Sequence, residues 1–117
     1  MGSGFTLKPR ANPVDRLRTS FPDIYDQLLE WADPDTPHLM YFAFAGLLLE
    51  RQTTPRLWQR AYRFFDELAE SGDTRLEDVL SEAFDRLGDS DARDQVDNHL
   101  GSAARTLFHR SNLNSGR

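Results

Sequence analysis

Prolines divide this chain into segments of helical length. Pro13, Pro22, Pro37 and Pro55 each follow a turn-forming stretch and precede hydrophobic residues that recur every three to four positions. Proline suits the first position of a helix, because that position needs no backbone N–H donor. No segment alternates with the period of two that a half-buried strand would show. The fold class is therefore predicted to be all-α.

Six helices are predicted from these start signals and from the glycines and polar residues that end the apolar patterns. Ile24, Leu28 and Trp31 share one side of the second helix, and the third is apolar nearly all round, so it is expected to be the central helix. In the fourth helix, Trp58 and Tyr62 widen the buried stripe. The predicted ranges are about 13–19, 23–32, 38–51, 55–71, 74–87 and 90–110.

Local signals also mark individual helix ends. Thr74 and Glu77 have the spacing of a capping box at the start of the fifth helix, and Ser90 is predicted to cap the sixth. Short turns favour antiparallel neighbours, in a compact bundle of five to six helices or in stacked pairs of the HEAT or armadillo kind. The bundle is favoured, because the chain contains no clear internal repeat.

The 117 residues suit one domain. A single helical domain is predicted over 12–110, between mobile tails at 1–11 and 111–117. The chain lacks cysteine, which excludes disulfides and thiolate sites and suits the cytoplasm. No secretory signal opens it, and its longest apolar stretch, 39–49, is about half the length of a membrane span. A cytoplasmic protein without a membrane partner is predicted.

Charge is distributed unevenly along the chain. The net charge is −5, and residues 62–100 hold twelve acidic residues against four arginines. This balance argues against binding of nucleic acid, which requires lysine and arginine to neutralise phosphates. It favours a basic protein partner, or it serves only solubility.

The residue types that carry chemistry form no recognisable site. His38, His99 and His109 have no spacing that places two of them on one helical face as metal ligands. Asp89, Asp91 and Asp94 lack the glycine and the final glutamate of a calcium loop, and the serines lack a nucleophile context. We therefore expect no enzyme activity, no metal and no cofactor. The function predicted is binding of another protein.

The acidic residues of the fifth and sixth helices are the candidate binding residues. If these two helices are antiparallel neighbours, seven carboxylates on their solvent sides form one continuous surface. The alternative is an ordinary solvated face whose first-turn acids complement the helix dipole. The seven candidates are Glu77, Asp78, Glu82, Asp85, Asp91, Asp94 and Asp97.

Three stretches carry a resemblance to a known group: 38–50 (HLMYFAFAGLLLE), 60–73 (RAYRFFDELAESGD) and 76–89 (LEDVLSEAFDRLGD). In apolar spacing and acidic positions they resemble small all-helical bacterial immunity proteins of polymorphic toxin systems. The resemblance covers about residues 21–108. It implies a stoichiometric inhibitor that neutralises a cognate toxin, and an acidic surface would suit a basic, nuclease-like one.

Other functions remain open. A regulatory or scaffolding adaptor, phage-borne or not, would dock a partner helix in an apolar groove beside the third helix, and exposed Trp58 or Tyr62 would favour it. The same exposure would favour a homodimer over a monomer. An enzyme would need two carboxylates converging in a pocket, one of them with a raised pKa.

Overall fold

The computed structural model describes residues 12–51 and 54–115, with side chains as far as residue 112. This part of the chain is all-helical, as predicted, and contains no strand. The tail at 1–11 lies outside the described residues. Within the described residues, seven helices follow one another: α1 (Pro13–Ser20), α2 (Pro22–Leu29), α3 (Pro37–Glu50), α4 (Pro55–Glu70), α5 (Thr74–Gly88), α6 (Arg93–His99) and α7 (Ser102–Ser115).

The helix starts follow the sequence signals with two corrections. The four prolines each lie at the beginning of a helix, and the Asn12 side chain accepts the Val14 N–H at 2.9 Å. The capping box at Thr74 is wrong, because the backbone is extended at Asp73 and the Asp73 carboxylate accepts the Arg75 N–H. Ser90 lies before α6, whose N-cap is Ala92.

The sixth predicted helix is in fact two helices. The chain is extended at Leu100, and the Gly101 N–H turns to the Asp66 carboxylate of α4 at 2.7 Å. This bond between distant parts of the chain satisfies a backbone donor at the break. After the break α7 continues to Ser115, and Ser111 is buried beyond the predicted domain end at residue 110.

Helix α5, rather than α3, has the most neighbours. It packs against α1, α3, α4, α6 and α7, whereas α3 packs mainly against α1, α2 and α5 and meets α4 through aromatic rings. The prediction of a central third helix is wrong in this respect. Within the described residues, no helix covers the side of α3 that carries Leu39 and Phe42.

Helices α3 and α5 are neighbours that run in the same direction. His38, near the start of α3, lies beside Asp78 near the start of α5, and further along Phe42 lies beside Arg86. Helix α4 lies between them in the sequence and brings the chain back to the end at which α3 began. Short turns predict antiparallel directions only for helices that follow one another in the sequence. They therefore do not predict that α3 and α5 are parallel neighbours.

A series of phenylalanine rings connects most of the helices through the core. Phe21 contacts Phe44 at 4.7 Å between ring centroids, Phe44 contacts Phe65 at 6.0 Å, and Phe84 contacts both Phe65 and Phe108 at 5.3 Å. All five side chains are at most 1% exposed. Burial of such rings is the main stabilising contribution in a chain without disulfides.

Trp58 and Tyr62 are buried, at 2% and 7% exposure. The Trp58 indole N–H donates to the Arg51 carbonyl at 3.1 Å, while the Tyr62 hydroxyl accepts from Gln95 and its ring stacks on His99. Burial raises the pKa of Tyr62, and the Gln95 hydrogen bond opposes that shift. The stripe therefore offers no surface for an adaptor or a homodimer.

An ion pair joins α4 to α2. The Arg60 guanidinium donates to both Asp23 carboxylate oxygens, at 2.9 and 3.0 Å, and lies 4.8 Å from the centre of the Phe21 ring. The hydrogen bond from Arg60 lowers the pKa of Asp23, and burial opposes this shift. The pair holds α4 against the α1–α2 junction.

This lowered pKa predicts a pH-dependent effect of Asp23→Asn. Folding lowers the pKa of this carboxyl below its value of about 3.9 in the unfolded chain. The ionised carboxyl therefore stabilises the native state above that pH, and this stabilisation is lost as the pH falls through the lower pKa of the folded protein. Near neutral pH, the free energy of unfolding of the wild type should exceed that of the variant by less than about 1 kcal/mol, because the ion pair is partly exposed. Urea unfolding at several pH values should show the difference disappearing below about pH 4. A difference that persists unchanged in acid would contradict this account.

Candidate functional site

Three large apolar side chains remain exposed around one cleft on α3. Trp31, Leu39 and Phe42 are 47%, 57% and 39% exposed, and all three line a cavity of about 290 Å³. Leu29 is also exposed but is not among the lining residues. We name this cleft the α3 groove, and its lining consists of Trp31, Leu39, Phe42, Ala43, Gly46, Glu50 and Arg86.

The sequence explains why an apolar surface is left here. Helix α3 is hydrophobic nearly all round, so burying one side against α1, α2 and α5 leaves apolar residues on the other. The prediction that the second helix extends to residue 32, with Trp31 on the same side as Ile24 and Leu28, is wrong. Helix α2 ends at Leu29, and Trp31 lies beyond it and is exposed.

The floor of the groove consists of small residues. Ala43 and Gly46 lie between Leu39 and Glu50 on one face of α3, since their spacing follows successive helical turns. From Leu39 to Glu50 this face is about 17 Å long at 1.5 Å per residue. The absence of a side chain at Gly46 leaves space on this face, and the Arg86 guanidinium occupies it.

Arg86 of α5 lies across α3 at this groove. Its guanidinium is 4.4 Å from the centre of the Phe42 ring, and it donates to the Phe42 carbonyl at 3.2 Å. A Cβ atom on Gly46 would lie only 2.6 Å from the Arg86 Nη1 atom, so glycine at this position makes room for the guanidinium. Arg86 forms no salt bridge with any described carboxylate.

A second cleft adjoins the first and contains carboxylates. It shares Phe42 and Arg86 with the α3 groove, has a volume of about 420 Å³ and is also lined by Leu49, Asp85, Asp89 and Ser90.

Glu82 belongs to the same side of α5. It lies one helical turn after Asp78 and one turn before Arg86, and both of these residues contact α3. We name Glu50, Glu82, Asp85 and Asp89 the rim acids. Glu50, Asp85 and Asp89 line the two clefts, so negative charge lies beside the exposed apolar residues.

The seven predicted acids do not form one continuous surface. The Asp78 carboxylate contacts His38 of α3, and Asp85 accepts a hydrogen bond from the Ser111 hydroxyl of α7 at 2.9 Å. Asp97 of α6 contacts His109 of α7 at 2.6 Å. Asp85 and Asp97 thus meet different faces of α7, since Ser111 and His109 are two residues apart on that helix.

The remaining candidates differ in exposure. Asp91 and Asp94 are exposed near the start of α6, while Glu77 is half-buried beside α7 and Glu82 is half-buried on the α3 side of α5. Only Glu82 and Asp85 of the seven are rim acids. Sequence reasoning missed Glu50, Asp89 and Arg86 as residues of the site. It also expected the third helix to be central and did not single out Phe42, although a helix that is apolar all round has more apolar surface than one set of neighbours can cover.

Neither the protein-family models nor the curated proteins nor the solved structures compared with this chain gave a match. The resemblance to immunity proteins therefore stays a prediction. Within 12–51 and 54–115, no cluster of three or more histidine or acidic residues is arranged to hold a metal ion. In the same part of the chain, no helix is long and apolar enough to cross a membrane.

Proposed function

We propose that this chain acts by binding another protein through the α3 groove. The observation that carries the proposal is the exposure of Trp31, Leu39 and Phe42 around a single cleft. Adjacent exposed apolar residues with a polar rim are typical of interaction sites. Tryptophan and arginine are also the residues that most often anchor protein interfaces, and the groove contains Trp31 and Arg86.

Within this class, we propose a stoichiometric inhibitor of a basic partner, the role that the resemblance to immunity proteins implies. The rim acids and the net charge of −5 support a basic partner, because complementary charge speeds encounter and excludes wrong partners. Inhibition would follow from steric occlusion of the partner's active surface. A nuclease-like toxin is one partner with the required charge.

A regulatory or scaffolding adaptor is the second candidate, and the same exposed apolar cluster supports it. Both roles use the α3 groove, so they differ in the consequence of binding. An inhibitor abolishes the activity of its partner at one-to-one stoichiometry, whereas an adaptor leaves that activity in place.

Site-specific photo-crosslinking in the native host tests the proposal. With p-benzoylphenylalanine at Leu39, we expect one discrete adduct with another protein. The control is the same amino acid at Thr106, which is exposed on α7 and lies outside the groove. Absence of an adduct at Leu39, or an equal yield of the same adduct at Thr106, would contradict a contact surface on α3.

A further inference from the structure

We infer that the occupant of the α3 groove is an amphipathic helix of the partner whose apolar stripe is flanked by lysine or arginine. This inference rests on the proposed function and specifies the chemistry of the partner. It follows from the shape of the groove and from the sign of the charges around it.

The shape of the groove suits a helix. Its floor is one face of α3, about 17 Å long, which matches about three turns of a second helix. The small residue Ala43 lies in the middle of this floor, and the Arg86 guanidinium covers Gly46 beside it. Apolar side chains of the occupant, repeating every three to four residues, would contact Leu39, Phe42 and Trp31.

The charges favour a basic occupant. Among the residues that line the two clefts, Arg86 is the one cation, and it is already engaged by the Phe42 ring and the Phe42 carbonyl. Three carboxylates, at Glu50, Asp85 and Asp89, line the same clefts, and Glu82 lies one helical turn before Arg86. An acidic occupant would be repelled by this excess of negative charge. Lysine or arginine at the flanks of the apolar stripe would be attracted to it.

Two alanine-rich peptides of about 20 residues, long enough to form a helix in water, test the inference directly. One carries a leucine stripe flanked by lysine, and the other has glutamate in place of every lysine. Both are labelled with a fluorophore, and their binding to the full chain is followed by anisotropy. We expect the lysine peptide to bind at least about tenfold more tightly than the glutamate peptide.

Two charge-matched variants separate the groove from general electrostatic attraction. Glu50→Gln with Asp89→Asn removes two negative charges at the rim, and Asp91→Asn with Asp94→Asn removes two at the start of α6. The rim variant should bind the lysine peptide about five- to tenfold more weakly than the wild type does. The α6 variant should change its affinity by less than about twofold, since screening weakens exposed charges that are not in contact. Urea unfolding confirms that both variants fold.

A glutamate peptide that binds as tightly as the lysine peptide would overturn the inference, and so would equal effects of the two variants. Weak or absent binding of both peptides would overturn it as well. In any of these cases, a photo-crosslink at Leu39 would still support the α3 groove as the contact surface. Failure of the inference is thus distinguishable from failure of the proposed function.

Discussion

Replacing Phe84 with alanine is expected to lower the free energy of unfolding by about 3 to 5 kcal/mol. The Phe84 side chain is fully buried, and its ring contacts Phe65 of α4 and Phe108 of α7, each at 5.3 Å between centroids. Truncation removes the transfer free energy of the ring and leaves a cavity where α4, α5 and α7 meet. Equilibrium urea unfolding, followed by circular dichroism, measures the difference.

Leu29→Ala provides the control for this prediction. Leu29 is 40% exposed, so its truncation should cost less than about 1 kcal/mol. If Phe84→Ala fails to fold, Phe84→Leu retains most of the buried volume and should cost about 1 to 1.5 kcal/mol. A loss for Phe84→Ala no larger than that for Leu29→Ala would show that the series of phenylalanines does not stabilise the fold.

Phe42→Ala is expected to weaken the complex with the crosslinked partner by at least about thirtyfold, which corresponds to about 2 kcal/mol. Phe42 lines both clefts and supports the Arg86 guanidinium. Its truncation therefore removes an apolar anchor and releases the neighbouring cation. Because the side chain is 39% exposed, the cost in folding stability should be much smaller than for a fully buried phenylalanine. Isothermal titration calorimetry with the purified partner measures the change in affinity.

The apolar control for Phe42→Ala is again Leu29→Ala, which lies outside the lining of the α3 groove. It should leave the affinity within about twofold of wild type, as most truncations outside an interface do. Arg86→Met separates the contribution of the cation from that of the ring, since it keeps the aliphatic part of the side chain. Unchanged affinity of Phe42→Ala would place the contact surface elsewhere on the molecule.

The positions of most helices follow from local signals that sequence reasoning can detect. Pro13, Pro37 and Pro55 each mark a helix start, because proline is tolerated at the first position and disrupts later ones. The break between α6 and α7 is different, since it depends on the bond from the Gly101 N–H to Asp66, 35 residues earlier. Hydrophobic spacing alone does not distinguish a continuous helix from two helices that bury the same side.

The candidate site was harder to predict from the sequence than the fold was. Trp58 and Tyr62 were predicted to widen the buried stripe of α4, and both are buried. The residues that cover Tyr62 were not predictable, because Gln95 and His99 of α6 are polar and belong to no apolar pattern. The exposed groove lies instead on α3. The hydrophobicity on all sides of α3 indicates that much of its surface should be buried, but it does not indicate which face stays exposed.

The acidic residues illustrate the same limit. Their positions on the solvent sides of α5 and α6 were predictable from helical periodicity. Their division by α7 was not, because it depends on the packing of α7 against Asp85 through Ser111 and against Asp97 through His109. Charge along the sequence therefore indicated a basic partner without locating the surface that would meet it.

The most direct test of the α3 groove is amide hydrogen exchange of the protein with and without its purified partner. We expect slower exchange in the complex at 42–50, in the C-terminal part of α3, and at 82–88, in α5. Residues 91–97, which include the start of α6, should exchange at the same rate in both states. Protection confined to 91–97, with α3 unchanged, would contradict binding at the groove and favour a surface formed by Asp91 and Asp94.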